Sequence, residues 1–319
     1  MHTTHPPTLS YARDLYGAWL ENSRDLSPHT VRAYTTDVSA LVDALGPSTA
    51  LSTLDARAVR SFLELQRSSG LRSSSVRRRA AGIRGFCGFL KRETLTTDDP
   101  WPAERLEFHR SRHLPRAVPA DELGKLLSYL WCQVSIGDDS HDRPPITNPH
   151  GATTLLGCGL MLGTGMRVGE LVSLRTHDVD LGSRQIRVLG KGRRERIVYL
   201  SDDWLTGMAD SYLATRPHLG VSHDQFLFGR SLAPLTASSM RDRLAQAAQI
   251  AGVRHITPHM LRHSAATQLV ESGVNIRLIQ RLLGHASLTT TEIYTHVTDE
   301  ALRQAVASAG VVSRCLERR

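Results

Sequence analysis

Apolar residues recur at helical spacing through most of this 319-residue chain, and two short runs break the pattern. Val31, Tyr34, Val38, Leu41, Val42 and Leu45 follow Ser27-Pro28, an N-cap with proline at the first helical position. Gly46-Pro47 stops that run. A second helix fits residues 55–66, with Val59, Phe62, Leu63 and Leu65 apolar. Ser73, Ser74 and Ser75 offer caps for a third, whose stripe is Val76, Ala80, Ile83, Cys87 and Leu90. Residues 153–162 are apolar, and the remaining helical segments are 121–131, 166–174, 237–251, 258–272, 276–283, about 290–296 and 299–309. The exceptions are β-like runs at 185–189 and 196–200. They flank Gly190-Lys191-Gly192-Arg193-Arg194-Glu195, which predicts a hairpin. The pattern describes a fold that is mainly α with a small β-sheet.

Between these elements lie segments of a different kind. Residues 94–120 hold Asp99-Pro100, Trp101-Pro102 and Leu114-Pro115 and read as a linker, which contains the basic run His109, Arg110, Arg112, His113 and Arg116. Residues 132–150 are polar and Pro-rich and read as a surface loop. A chain that is 40% hydrophobic and 22% charged is not a mostly disordered one. No stretch reaches the roughly 18 apolar residues of a membrane span. The first residues are polar and lack an apolar signal core. Four scattered Cys without a CxxC pair indicate neither zinc nor a disulfide framework. A cytoplasmic, reduced protein is the expectation.

Thirty-nine Lys and Arg against 31 Asp and Glu leave +8, which suits a polyanionic partner without naming it. The helix after Ser75 is sharper evidence. Its non-apolar faces carry Arg77, Arg78, Arg79, Arg84, Lys91 and Arg92. Most charged helix faces are simply solvated. This one is nearly all of one sign and repels itself unless a polyanion neutralises it, so DNA contact through Arg77, Arg79 and Arg84 is the expectation.

The residues able to do chemistry gather in the second half. Thr257 caps a helix that Pro258 begins, and His259 and Arg262 stand three apart on it, an anion site that can also move a proton. Leu261, Ala265 and Leu269 take its core face. Gly284 ends the next helix and presents His285. Thr289-Thr290-Thr291-Glu292 is a capping-box pattern opening a helix with Tyr294. Upstream, Arg167 stands just inside a helix start with Glu170 placed to brace it, and Lys191 sits at the hairpin tip. Singly, each has an ordinary structural explanation. Two rival constellations fail, one on residue type and one on spacing. His259 and His263 lack the following Glu of a metalloprotease, Met260 standing there, and the glycines 163, 165 and 169 match no nucleotide loop.

In this order the residues resemble the tyrosine recombinases, the integrase family that includes the Xer and Cre enzymes. Thr164-Gly-Met-Arg167-Val-Gly-Glu-Leu resembles the family's first arginine box, and His259-Met-Leu-Arg262-His263-Ser-Ala-Ala-Thr its second. Leu283-Gly-His285-Ala-Ser-Leu-Thr-Thr-Thr-Glu-Ile-Tyr294-Thr-His resembles the nucleophile box, and Ser27-Pro-His-Thr-Val-Arg-Ala-Tyr34 the start of the core-binding domain. The resemblance implies a two-domain architecture: a helical, SAM-like core-binding domain at 8–97, a basic linker at 98–118 and a mixed α/β catalytic domain at 119–312. It implies that Arg167 and Arg262 hold the phosphate, Tyr294 attacks phosphorus to give a 3′-phosphotyrosyl link, and Lys191 protonates the leaving 5′ oxygen. His259 would assist proton transfer, His285 would hydrogen-bond the phosphate, and Glu170 would support them. No nucleotide cofactor is implied, because the link retains the phosphodiester bond energy, and no metal, because the arginines stand in its place.

The implied partner is double-stranded DNA with specific sites, bound by a tetramer on paired sites. A mobile-element integrase or resolvase is the first expectation, on the length of 132–150. A Xer-like recombinase resolving chromosome or plasmid dimers is the alternative. A non-cleaving accessory protein and a topoisomerase are the remaining readings. The family also passes the helix at 299–309 to a neighbouring protomer, against the simpler docking on its own domain.

Overall fold

The computed structural model describes residues 7–22, 26, 28–71, 73–103, 117–134, 146, 148–190, 195–200, 202–284 and 299–317. The chain divides into two units, residues 1–113 and 114–319. The first is helical: α1 (Leu9–Glu21), α2 (Pro28–Leu45), α3 (Ala56–Ser68) and α4 (Ser73–Arg92). Side-chain caps set two of the starts. Thr8 accepts from the Tyr11 N–H, and Asp55 accepts from the Ala58 N–H at 2.7 Å. Val38, Leu41 and Val42 of α2 meet Phe62 and Leu63 of α3 and Ile83, Phe86 and Leu90 of α4 in one core, around Tyr16 of α1. Leu65 is 58% exposed, because it lies two residues beyond Leu63 and so turns to the opposite face.

The basic face of α4 is not of one sign once folded. Asp37 of α2 is fully buried beneath it, with Arg78 Nη1 at 2.7 Å and Arg79 Nε at 3.5 Å. Arg79 also donates to Gln66 Oε1. Burial pushes the Asp37 carboxyl up, and the two guanidinium groups pull it back in part. Much of the expected self-repulsion is therefore answered inside the fold. Arg84 is exposed and lies over the Trp101 ring at 5.8 Å, and Arg77 is half-buried.

The second unit is built around α6 (Pro149–Thr164), in which every residue from Ala152 to Leu162 is buried. A helix apolar all round belongs at the centre of a layered domain. Against it pack α5 (Ala120–Val134), α8 (Asp203–His218), α9 (Ala237–Ile250) and α10 (Pro258–Glu271). Between α6 and α8 come the short α7 (Val168–Ser173) and three strands, β1 (Val179–Asp180), β2 (Gln185–Leu189) and β3 (Glu195–Tyr199). They form an antiparallel sheet in the order β1-β2-β3, with Gln185 opposite Tyr199 and Leu189 opposite Glu195. Ile186 and Val188 point inward while Arg187 and Leu189 face out, the period-2 alternation of a sheet with one wet face. The chain continues through α11 (Ile276–Leu283), α12 (Asp299–Ala309) and α13 (Val311–Glu317).

Several sequence readings need correction. The segment 132–150 is not all loop: α5 runs to Val134, and Asn148 caps α6 by accepting from the Gly151 N–H at 3.0 Å. The expected helices omit α8, where Leu205, Met208, Ala209 and Tyr212 keep a buried stripe despite Gly207 and Pro217. The expected helices also omit α13, which begins directly after Gly310. Within this one chain the stripe Leu302, Val306 and Ala309 of α12 lies buried against α10 and α11, while its expected transfer to a neighbouring protomer concerns the assembly and stands uncorrected. Asp202 then ties α13 down, accepting from the Ser313 N–H at 2.9 Å and from its hydroxyl at 2.5 Å.

Candidate active site

Two glycine-capped helix ends meet at this site. Helix α6 ends at Gly165 and α11 ends at Gly284, both left-handed, with φ of 66° and 62°. The left-handed turn admits glycine readily, and the packing allows little else. A Cβ on Gly165 would stand 2.5 Å from Leu283 Cδ2, and one on Gly284 would stand 3.3 Å from the Arg196 side chain.

A helix leaves its last carbonyls without intrahelical partners. At the end of α11 three arginines take up three successive ones. Arg196 Nε donates to Leu282 O at 3.0 Å, Arg262 Nη2 to Leu283 O at 2.7 Å, and Arg167 Nη2 to Gly284 O at 3.4 Å. Arg262 Nη1 also donates to Gly165 O at 2.5 Å, so one guanidinium pins the ends of α6 and α11 together. The negative end of the α11 dipole favours this gathering of cations.

Glu170 holds the collar from behind. It is buried and accepts from the Arg167 N–H and Nη1, both at 2.8 Å. Arg196 approaches its two carboxylate oxygens from β3 as a fork, at 3.0 and 2.8 Å. Burial pushes this carboxyl up, but the Arg196 and Arg167 hydrogen bonds outweigh it and hold it at about 2. Arg262 is pushed down to about 10 by its burial and then by the charge of Arg167, with Glu170 opposing. Three guanidinium groups around one carboxylate leave a net positive site that gains by accepting an anion.

Arg167 is the N-cap residue of α7, one position before the helix proper, and its side chain is 45% exposed. Thr257 accepts from the Met260 N–H at 3.3 Å, and Pro258 is the first residue of α10. Next to it His259 is exposed, whereas Arg262 one turn on is 6% exposed, so the two differ sharply in burial despite their spacing. Arg196 is the residue that sequence reasoning did not single out. It was read as an ordinary strand position; the signal available was an arginine four residues after the hairpin glycine, Gly192. Lys191, His285, Tyr294, the capping box at 289–292, the helix at 290–296 and the basic run of the linker lie outside the described residues. Among the described residues no three of His, Cys, Asp or Glu gather as metal ligands, and no helix is long and apolar enough to cross a membrane.

The sequence and the fold have known relatives. Residues 140–301 match the Phage integrase family, and residues 14–94 match the Phage integrase, N-terminal SAM-like domain. The chain is 35% identical over 286 residues to Tyrosine recombinase XerC of Yersinia pestis, covering 88% of each chain. It is 33% identical over 299 residues to Tyrosine recombinase XerC of Mycobacterium sp. (strain JLS), covering 91% of this chain and 95% of the relative. Among solved structures, the XerH site-specific recombinase bound to palindromic difH substrate superposes with a TM-score of 0.65 at 21% identity, covering 94% of both chains. A lambda integrase dimer bound to a COC′ core site gives 0.66 at 18%, covering 90% of this chain and 100% of that one. The mostly helical architecture with a three-stranded sheet is shared with these structures.

Proposed function

This chain belongs to the phage integrase family and is a tyrosine recombinase, a site-specific DNA recombinase, and from that premise we propose that its role is Xer-like. It cleaves and rejoins paired DNA sites through a covalent 3′-phosphotyrosyl intermediate. The observation that carries the reading is the arginine collar at the end of α11, with Arg262 buried and Arg167 half-exposed beside it.

Phosphodiesters resist attack because their charge repels nucleophiles. Arg262 spends two of its five N–H donors on carbonyls among the described residues, which fixes its plane and leaves others for a phosphate oxygen. Arg167, clamped by Glu170, supplies a second guanidinium for the other non-bridging oxygen. The chain leaves this collar at Gly284 and reaches Tyr294 ten residues later. The Tyr294 oxygen forms the bond to phosphorus as the bond to the 5′ oxygen breaks. Lys191 gives that oxygen its proton, while His259 takes or relays the tyrosine proton. His285 hydrogen-bonds the phosphate. A free 5′-hydroxyl from the second DNA reverses the step and completes exchange. The helical domain at 8–97 and the catalytic domain at 119–312 both bind DNA, and two pairs of protomers act on paired sites.

The mobile-element role gives way to the Xer-like one. It rested on the length of 132–150, which α5 and α6 shorten at both ends. Two relatives named XerC align over 88% and 91% of this chain. The test is to sequence the DNA that the protein captures covalently, then place two copies of that site on a plasmid dimer. Resolution to monomers supports the dimer-resolving role. Capture of the ends of a mobile element, with no resolution, overturns it.

A further inference from the structure

At the opposite end of α6 from the arginine collar lies a second cationic site. A cavity of about 240 Å³ opens among the last turns of α5, the start of α6 and one face of α9. Its polar lining includes Gln133, Asn148, His150, Arg230, Arg243 and Gln246, with no carboxylate among its lining residues. Arg243 Nη1 donates to His150 O at 3.1 Å. Its Nη2 and the His150 Nδ1 are shielded from solvent and have no hydrogen-bond partner among the described residues. Neither Arg243 nor Arg230 has an acidic partner within ion-pair distance there.

The electrostatics agree with the geometry. Burial and then the charge of Arg230 push Arg243 down, and burial followed by Arg243 and Arg230 pushes His150 down. Among the described residues these groups crowd together without a counter-ion. The first turn of a 16-residue helix adds the positive end of its dipole to the same space. Two arginines, a dipole and donors lacking acceptors favour a compact anion with several acceptor oxygens.

We propose that this cavity seats a phosphate group, supplied by the DNA backbone at a distance from the cleavage point. The source rests on the reading of the chain as a DNA recombinase. Sixteen residues of α6 span about 24 Å. Helix α6 is then a spacer. Its C-terminal end holds the collar that meets the reacting phosphate, and its N-terminal end fixes a remote one, so that the register of the duplex is set by a buried, rigid element.

The experiment measures binding of the full-length protein to a synthetic duplex across a range of salt, for wild type, Arg243→Gln, Arg230→Gln and Arg243→Lys. In parallel, thermal midpoints are taken in inorganic phosphate and in chloride at equal ionic strength. Each Gln variant is expected to lower the slope of log K against log salt by about 0.9, and Arg243→Lys to keep it. A lower midpoint for Arg243→Gln with unchanged slopes for both Gln variants makes Arg243 structural and overturns the site. Stabilisation of wild type but not Arg243→Gln by inorganic phosphate, with unchanged slopes, overturns the DNA source and identifies a soluble anion. A wild type that forms no covalent adduct while the slope changes persist removes the recombinase chemistry and leaves the phosphate site standing.

Discussion

Arg196→Met tests how the collar is held. The substitution keeps the aliphatic stem and removes three hydrogen bonds, two to Glu170 at 3.0 and 2.8 Å and one to Leu282 O at 3.0 Å. Both ends of the pair are largely buried, with side chains 14% and 7% exposed. Removing one partner of a buried pair costs about 3–5 kcal/mol. Arg196 and Arg167 together hold the Glu170 carboxyl at about 2 instead of 4.5, which corresponds to about 3 kcal/mol at neutral pH and sets a ceiling on the Arg196 share. Because the folded value lies below the unfolded one, this stability is present above 4.5 and is lost as pH falls toward 2. Denaturant unfolding should therefore show a gap of up to about 3 kcal/mol between wild type and variant at pH 7. The gap should narrow as pH drops below about 4.5. Cleavage at saturating DNA should fall, because Arg167 and the end of α11 lose a common anchor, and adding Glu170→Gln should restore part of the stability. A gap under about 0.5 kcal/mol at pH 7, or one that does not change with pH, would refute the idea that Arg196 and Glu170 organise the collar.

Other outcomes follow from the same structure. Lys191→Ala should cleave normal DNA poorly and recover on a bridging 5′-sulfur substrate whose leaving group needs no acid, whereas Arg262→Ala should fail on both; equal failure would remove the general-acid role. On α4, Arg84→Ala should lower the salt slope of DNA binding by about 0.9 while leaving the fold intact. Arg79→Ala should instead destabilise the first unit by uncovering buried Asp37, and an unchanged unfolding midpoint would contradict that assignment. Deleting residues 298–319 removes Leu302, Val306, Val312 and Cys315 from the core of the second unit and should lower its midpoint; a fully stable truncated protein would show that the cis docking contributes little.

Much of this fold was legible because local signals and tertiary packing agree. The α11 segment, Ile276–Leu283, has a strong apolar face and ends at a glycine, and its predicted limits coincide with those observed. Helix α10 shows the same agreement, with threonine cap and N1 proline in place. Helix α8 was hidden because Gly207 and Pro217 are judged from local propensity, while its core contacts come from α6, far away in sequence. The site follows the same division. The boxes around Arg167 and Arg262 carry spacing that can be read, but Arg196 meets Glu170 only when the sheet folds against α7 and α11. Asp37 was equally silent: on α2 it is one acid among polar residues, and only the helix packing puts it beneath Arg78 and Arg79.

The central claim is that the chain breaks DNA by making a covalent bond from Tyr294 to a 3′ phosphate at the arginine collar. The direct measurement is to trap the adduct on a nicked site, digest the protein and locate the phosphonucleotide by mass spectrometry, in excess EDTA and beside Tyr294→Phe. The account predicts a 3′-phosphoryl adduct on the peptide containing Tyr294, undiminished by EDTA, and none from the Phe variant, which still binds DNA. An adduct on another residue, a 5′-linked adduct, or cleavage that stops without Mg²⁺ would contradict it.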